Sequence, residues 1–185
     1  LIVFPFYSVF ASYTFKPQDV YSPLDSYTFM LFVLHVFGDT SYYKYHFVKN
    51  LVPEDEVLQE LKTHGLTDDK PSVTKLGQAV MRSYLPLQDA VYFAEENKKP
   101  IPLLLKAPSL SDGKYREVFD ALYHGKKIDE ISKELHMYPN DVSKMADTLR
   151  WYSYGMWLIK YTLLGYDKAK PYFMVHHHLL PRPST

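Results

Sequence analysis

Cysteine is absent from all 185 residues of the chain. This absence excludes a disulfide framework, a thiolate zinc site and a cysteine nucleophile. Two stretches without formal charge, Leu1 to Phe15 and Ser26 to Phe37, are shorter than the roughly 20 apolar residues that a membrane span requires. The first stretch also lacks the basic start of a secretion signal. These absences predict a cytoplasmic protein with no membrane partner.

Net charge is lacking too, because 21 Lys and Arg residues balance 21 Asp and Glu residues. A neutral chain does not bind nucleic acid through bulk electrostatics alone. The charge is unevenly distributed, however, since the only acid in residues 151–185 is Asp167. The basic residues of that region are Lys160, Lys168, Lys170 and Arg182. Contacts with phosphates are therefore expected toward the C-terminal end.

Motifs for catalysis and for cofactors are missing as well. Neither G-x-x-x-x-G-K-[ST] nor D-E-x-H occurs, so the sequence predicts no ATP site and no cofactor. Three adjacent histidines, His176, His177 and His178, could suggest a metal site. Consecutive side chains diverge, however, and no set of carboxylates stands at ligand spacing, so no metal is predicted. The chain would take part in catalysis only as a piece of a longer enzyme.

Hydrophobic periodicity and the placement of proline divide the chain into five predicted parts. An aromatic, extended segment comes first, and a winged-helix domain follows it. A proline-rich linker then leads to a small helical bundle, and a basic tail follows the bundle. The expected fold class is mainly α, with a winged helix before a helical bundle. The five parts span residues 1–24, 25–85, 86–113, 114–166 and 167–185.

The order of elements in the second part is that of a winged helix. The predicted elements are a helix from Asp25 to Gly38, a short helix after Thr40 that presents Tyr43, Phe47 and Leu51, a helix from Pro53 to Gly65, a hairpin over residues 66–75, and a helix over residues 76–84. The tip of the hairpin carries Asp68 and Asp69, where a wing that binds DNA is usually basic. This domain is therefore expected to pack against another domain or protein and not to enter a major groove.

The longest helix is predicted over residues 140–164, ending at Gly165. Its inward stripe is Val142, Met145, Ala146, Leu149, Met156 and Leu163. Lys144 and Trp151 fall together on the opposite side, seven residues or about 10 Å apart. A second layer of helices covering Trp151 is one explanation of a tryptophan there. The other is a platform on which an unpaired base stacks, beside a cation that holds phosphate.

Two segments of the sequence resemble the archaeal Hjm-type superfamily 2 DNA-repair helicases, which are relatives of the Ski-type helicases. They are KKIDEISKELHMYPNDVSKMADTLRWYSYGMWLI, residues 126–159, and SVTKLGQAVMRSYLPLQDAVYF, residues 72–93. The first is similar to the family's ratchet helix, where an Arg and a Trp seven residues apart line the channel for single-stranded DNA. The second is similar to the end of its winged helix. The resemblance implies that Trp151 keeps the Trp position and that Lys144 stands where the family has Arg, without the planar fork of a guanidinium.

The sequence departs from this family in three ways. The stretch between the two segments is shorter, the C-terminal helix-hairpin-helix is missing, and no motor motif is present. The sequence opens at Leu1 and not at a methionine, so a helicase fragment and a stand-alone relative both stay open.

The first hypothesis for function is a nucleic-acid-binding accessory module of a DNA-repair helicase. Lys144 and Trp151 would contact single-stranded DNA or RNA, and Lys160, Lys168 and Lys170 would contact phosphates nearby. The helicase motor domains or another repair protein would be its partners. An alternative is an interaction adaptor, a degenerate helicase remnant that binds a helicase, nuclease or polymerase. A winged-helix transcription factor is a weaker third hypothesis, because the predicted third helix is acidic.

Overall fold

The computed structural model describes residues 25–44 and 52–181. In these two ranges the protein forms nine α-helices, one 3-10 turn at Pro108–Leu110 and no β-strand, which confirms the prediction of a mainly α fold. The helices are α1 Ser26–Phe37, α2 Glu54–Thr63, α3 Lys75–Ser83, α4 Leu87–Glu95, α5 Pro100–Leu105, α6 Gly113–Tyr123, α7 Ile128–Glu134, α8 Pro139–Leu164 and α9 Tyr166–Leu179. The predicted extended segment 1–24 and most of the predicted short helix after Thr40 lie outside the described residues.

Local signals fix the ends of the first helices. The Asp25 carboxylate accepts the backbone N–H of Thr28 at 2.7 Å and so caps α1. Gly38 ends this helix with φ of 75°, a left-handed conformation that glycine adopts without strain. The Thr74 hydroxyl accepts the N–H of Gly77 at 3.0 Å at the start of α3. These short polar residues explain why the helices begin where the sequence predicted.

The predicted hairpin between α2 and α3 is a tight turn. Its strands reduce to a single antiparallel bridge between Thr67 and Val73. The Asp68 carboxylate closes the turn by accepting the Ser72 backbone N–H at 3.2 Å and its hydroxyl at 2.6 Å. These hydrogen bonds, the one from the Ser72 hydroxyl above all, lower the pKa of Asp68. The acidic tip is therefore rigid and charged.

Residues 86–113 do not form the predicted linker but belong to the core. They fold into α4, α5 and the 3-10 turn, and bury Phe93, Leu103, Leu104 and Leu110. Pro100 and Pro108 are the first residues of their elements. Proline is well tolerated there because its missing N–H has no partner inside the helix. The prolines that suggested a linker are thus helix starts.

A buried carboxylate joins this segment to the long helix. Asp89, which is fully buried, accepts the Ser109 backbone N–H at 3.0 Å, the Ser109 hydroxyl at 2.6 Å and the Tyr152 hydroxyl at 3.1 Å. Burial and the nearby Asp89 charge raise the pKa of Tyr152 to about 12. The hydroxyl therefore remains a donor, and the carboxylate is satisfied by three hydrogen bonds.

Helix α8 is the central element of the fold. It packs against α3, α4, α5, α6, α7 and α9. Of the predicted inward stripe, Val142, Ala146, Leu149 and Met156 are fully buried and Met145 is half-buried, whereas Leu163 is exposed. The prediction of a long helix that ends at Gly165 is confirmed.

The predicted basic tail is largely helix α9, which runs antiparallel to α8. A single residue, Gly165, with φ of 79° and ψ of 174°, joins the two helices. The buried side of α9 consists of Ala169, Tyr172, Val175 and Leu179. Among the described residues, no helix has the length and apolarity to cross a membrane.

Candidate nucleic-acid interface

Trp151 has a fixed edge and an open side. Its indole Nε1–H donates a hydrogen bond to the carbonyl oxygen of Ser83, at the end of α3, at 2.7 Å. The ring also meets Tyr152 edge to face, with centroids 5.1 Å apart. It nevertheless remains 40% exposed. Trp151 is therefore partly covered, with its indole N–H held against the end of α3, and partly open to solvent.

Lys144 lies two turns before Trp151 on the same side of α8, because seven residues turn the helix through about 700°. Its side chain is exposed. The two nearest acids along the helix, Asp141 and Asp147, are each three residues away, and Asp147 forms an ion pair with Arg150 at 2.8 Å. Within the described ranges Lys144 itself enters no ion pair. The helix therefore brings this predicted pair of residues to one face and leaves the cation open to an anion.

Lys160 does not occupy the predicted surface position. It is only 3% exposed, and its ammonium donates to the carbonyl oxygen of Glu96 at 2.8 Å. The ammonium also lies over the ring of Tyr172, 5.9 Å from its centroid. Burial lowers the pKa of Lys160, and the Glu96 charge partly opposes this. Nine residues after Trp151, the side chain falls on the opposite side of the helix, where it ties α8 to the end of α4.

Lys168 and Lys170 are exposed on α9, as expected for phosphate contacts. Lys170 lies one turn before Phe173, whose ring is 5.3 Å from that of Trp157. Lys170 is therefore beside the face of α8 that carries Trp157. The contacts of the structure do not join either α9 lysine to Trp151.

A group of aromatic side chains on α8 and α9 was missed by the sequence reasoning. Trp157 is its centre, with ring centroids 5.7 Å from Tyr154, 5.9 Å from Tyr161 and 5.3 Å from Phe173. Tyr154, Tyr161 and Phe173 are between 39% and 44% exposed. We call these four residues the α8–α9 aromatic surface. The three- and four-residue spacing of residues 154, 157 and 161 was the signal that could have revealed it.

The three adjacent histidines serve three different contacts. His176 meets Ser153, with 2.9 Å between Nδ1 and Oγ. Because the Ser153 hydroxyl donates to the Arg150 carbonyl at 2.8 Å, the His176 Nδ1–H is the donor to Ser153. Burial lowers the pKa of His176. The other two contact Phe173 and Tyr123 respectively. In the part of the chain that the structure describes, no three His, Asp or Glu side chains could hold one metal ion.

The opposite end of the molecule is acidic. An open depression between α1 and α2 is lined by Tyr27, Asp55, Glu56, Gln59 and Glu60. Lys62 on the same helix pairs with Asp69 of the turn at 2.6 Å. The acidic side chains of this depression and of the turn repel a polyanion.

Comparisons of the chain with protein-family models, with curated proteins and with solved structures found no match. The likeness to Hjm-type helicases therefore remains a prediction from the sequence. The proposed function therefore depends on the geometry of the candidate interface.

Proposed function

We propose that this chain is an accessory module that binds single-stranded nucleic acid, DNA in the first place, through α8. In this proposal residues 25–85 are a winged helix and residues 114–166 a ratchet-like bundle of a DNA-repair helicase, with the motor on another chain or another part of the protein. The observation that carries it is Trp151, whose indole N–H is bonded to Ser83 while the residue remains 40% exposed, two helical turns from Lys144.

The geometry suits an unpaired base because the ring is already held in place. Stacking one base on an aromatic side chain contributes about 1 to 3 kcal/mol. A ring fixed by a hydrogen bond loses little rotamer freedom when a base stacks on it, so more of that contribution is kept. Lys144, about 10 Å away along the helix axis, is near enough to hold a phosphate of the same short stretch of strand.

The N-terminal part supports a role beside a motor more than the reading of duplex DNA. The order of α1, α2, the tight turn and α3 agrees with a winged helix. The acids of α2 and of the turn, however, would meet the phosphates of any duplex that approached them. A transcription factor that binds duplex DNA is therefore the weaker proposal, and packing against a basic partner domain is the stronger one.

Fluorescence titration with an oligo(dT) at low salt tests the proposal. Trp157→Phe makes Trp151 the sole tryptophan and should keep the affinity, and the added strand should quench its emission. Trp151→Ala should weaken binding about tenfold, the loss of one stacked base. Circular dichroism checks that the variants are folded. An unquenched Trp151, or an unchanged affinity of Trp151→Ala, would rule the function out. Oligo(U) in the same assay compares RNA with DNA.

A second candidate function is an interaction adaptor, and the α8–α9 aromatic surface favours it. Aromatic side chains are enriched at protein interfaces, and contiguous apolar patches mark binding sites. The partner would be a helicase, nuclease or polymerase with an apolar face. Phe173→Glu should abolish binding of that partner in a pull-down, whereas Trp151→Ala should keep it. A partner that both variants retain would exclude this surface.

A further inference from the structure

The residue that follows Ser83 has an unusual backbone. Tyr84 ends α3 in the left-handed conformation, with φ of 54° and ψ of 17°. In the described ranges, His136 is the only other non-glycine residue with positive φ. Glycine is the usual residue at such a helix end, because a Cβ makes this conformation strained. A tyrosine is therefore held there at a cost in stability.

Packing of the Tyr84 side chain offsets little of this loss of stability. The side chain is 66% exposed. Among the residues that the structure describes, its ring forms no aromatic pair and its hydroxyl forms no hydrogen bond. Strained backbone that gains nothing in the fold is typical of functional positions.

Tyr84 is attached directly to the group that holds Trp151. The Ser83 carbonyl that accepts the Trp151 indole N–H belongs to the same peptide group as the Tyr84 nitrogen. This peptide is firmly placed, since the Ser83 hydroxyl donates to the Val80 carbonyl at 2.6 Å and accepts the Leu85 N–H at 3.2 Å. Tyr84 and Trp151, both exposed, are thus connected through one peptide group.

The charges around the two rings suit a nucleic-acid strand. Arg82, two residues before Tyr84, and Lys144, two turns before Trp151, are both exposed. In the described part of the chain neither cation enters an ion pair. Two exposed aromatic side chains and two cations without ion pairs supply the stacking and the phosphate contacts that an unpaired strand needs.

We infer that Tyr84 and Trp151 together form a two-ring stacking site for consecutive unpaired bases, with Tyr84 as a binding residue. This inference rests on the proposed function and adds a second base to it. It also gives a reason for the left-handed tyrosine, since that conformation turns the ring outward from the end of α3 instead of burying it.

Tyr84→Gly tests the inference because its two effects have opposite signs. Release of the backbone strain should raise the melting temperature by about 2 to 4 °C for a chain of this length. Loss of the ring should weaken oligo(dT) binding about tenfold. Tyr84→Phe, which keeps a stacking ring, should bind within about twofold of the unchanged protein.

His136→Gly is the matched control. It removes the same kind of strain in the turn before α8, whose first residue, Pro139, lies twelve residues, or about 18 Å, along the helix from Trp151. It should raise the melting temperature in the same way and leave the affinity for oligo(dT) unchanged. If Tyr84→Gly lowers stability, Tyr84→Asn replaces it, because asparagine also tolerates the left-handed region.

The outcomes separate this inference from the proposed function. Weaker binding by Tyr84→Gly and by Trp151→Ala supports both. Unchanged binding by Tyr84→Gly, with a loss in Trp151→Ala, overturns the two-ring site and leaves the proposed function standing. Unchanged binding by both variants overturns both. Equal weakening by Tyr84→Gly and His136→Gly also overturns the two-ring site, because the effect would then follow backbone change and not the ring.

Discussion

The two ends of this molecule differ in the charge and the chemistry that they present. Residues 54–71 carry six acidic side chains and two lysines. Residues 150–181 carry one acid, Asp167, against Arg150, Lys160, Lys168 and Lys170, and they expose the α8–α9 aromatic surface. A net charge of zero therefore conceals two unlike faces. A nucleic-acid strand would therefore prefer one side of the molecule, although the net charge of zero indicates no preference.

The two regions are connected through α3, which follows the acidic turn and packs against α8. Gly155 of α8 lies so close to the turn after α3 that an added Cβ would be 2.5 Å from the Leu85 Cδ1 atom. The Trp151 hydrogen bond to Ser83 is formed one turn earlier on α8. The candidate binding site thus lies where α8 meets the end of α3, and its geometry depends on how closely these two helices pack.

Glycine-to-alanine substitutions should give the largest effects and should differ between the regions. A Cβ on Gly77, which packs against the acidic region, would lie 2.1 Å from the Leu66 backbone oxygen, so Gly77→Ala should lower the free energy of unfolding by about 3 kcal/mol. Gly155→Ala meets a side chain that can shift, and about 1 kcal/mol is expected there. Urea unfolding measures both losses.

Gly113→Ala is the control for this series, because nothing lies within 4 Å of a Cβ at that position. Its stability should stay within about 0.5 kcal/mol of the unchanged protein. Equal losses of stability at all three glycines would show that the close contacts of Gly77 and Gly155 contribute nothing in particular to the free energy of unfolding.

Charge substitutions should separate the two faces in binding. Lys144→Ala should weaken the affinity for oligo(dT) about tenfold and reduce the slope of log affinity against log salt by about 1. Lys144→Arg should bind at least as tightly as the unchanged protein, because the guanidinium is also a cation and forks onto phosphate. Titrations at several salt concentrations provide the measurement.

Glu56→Ala removes a charge on the acidic face and is the control for Lys144→Ala. Its affinity should stay within about twofold of the unchanged protein, because screening weakens distant charges. A loss of affinity as large as that of Lys144→Ala would mean that the strand does not discriminate between the faces.

Two histidines should give the smallest effects, with opposite pH dependence in the two regions. Burial alone would lower the pKa of His64, but the hydrogen bonds that its ring nitrogens donate to the carboxylates of Glu95 at 2.8 Å and Glu60 at 3.1 Å raise it above its usual value of 6.5. Its contribution to stability is full below pH 6.5 and is lost as pH rises through the raised value. His176, whose pKa burial lowers, contributes above pH 6.5 and loses this as pH falls.

Thermal unfolding at pH 5.5 and pH 8 distinguishes the two cases. His64→Ala should lose about 0.5 kcal/mol more stability at the lower pH. His176→Ala should lose more stability at the higher pH, where the neutral ring donates to Ser153. The same pH dependence in both variants would contradict the difference between the regions.

Much of the helical architecture could be predicted from sequence signals that act locally. Asp25 and Gly38 limit α1, and Gly165 ends α8. The placement of Lys144 and Trp151 on one side of α8 follows from helical periodicity alone.

Other features depend on residues far apart in the sequence. The hydrogen bond from Trp151 to Ser83 joins residues 68 positions apart, so no periodic pattern in the sequence indicates it. A proline can either interrupt a helix or stand at its first residue, and the sequence of residues 86–113 agrees with both. Tertiary packing decides which of the two occurs. The burial of Lys160 was readable from its place opposite Trp151, but its charge suggested a surface position.

Because the Lys160 ammonium is buried, its chemical modification can report local opening of the structure around α8. An amine-reactive reagent should modify the exposed lysines Lys144, Lys168 and Lys170 at once, and Lys160 only when its bond to the Glu96 carbonyl breaks. The rate of labelling at this one position therefore measures how often α8 separates from the end of α4.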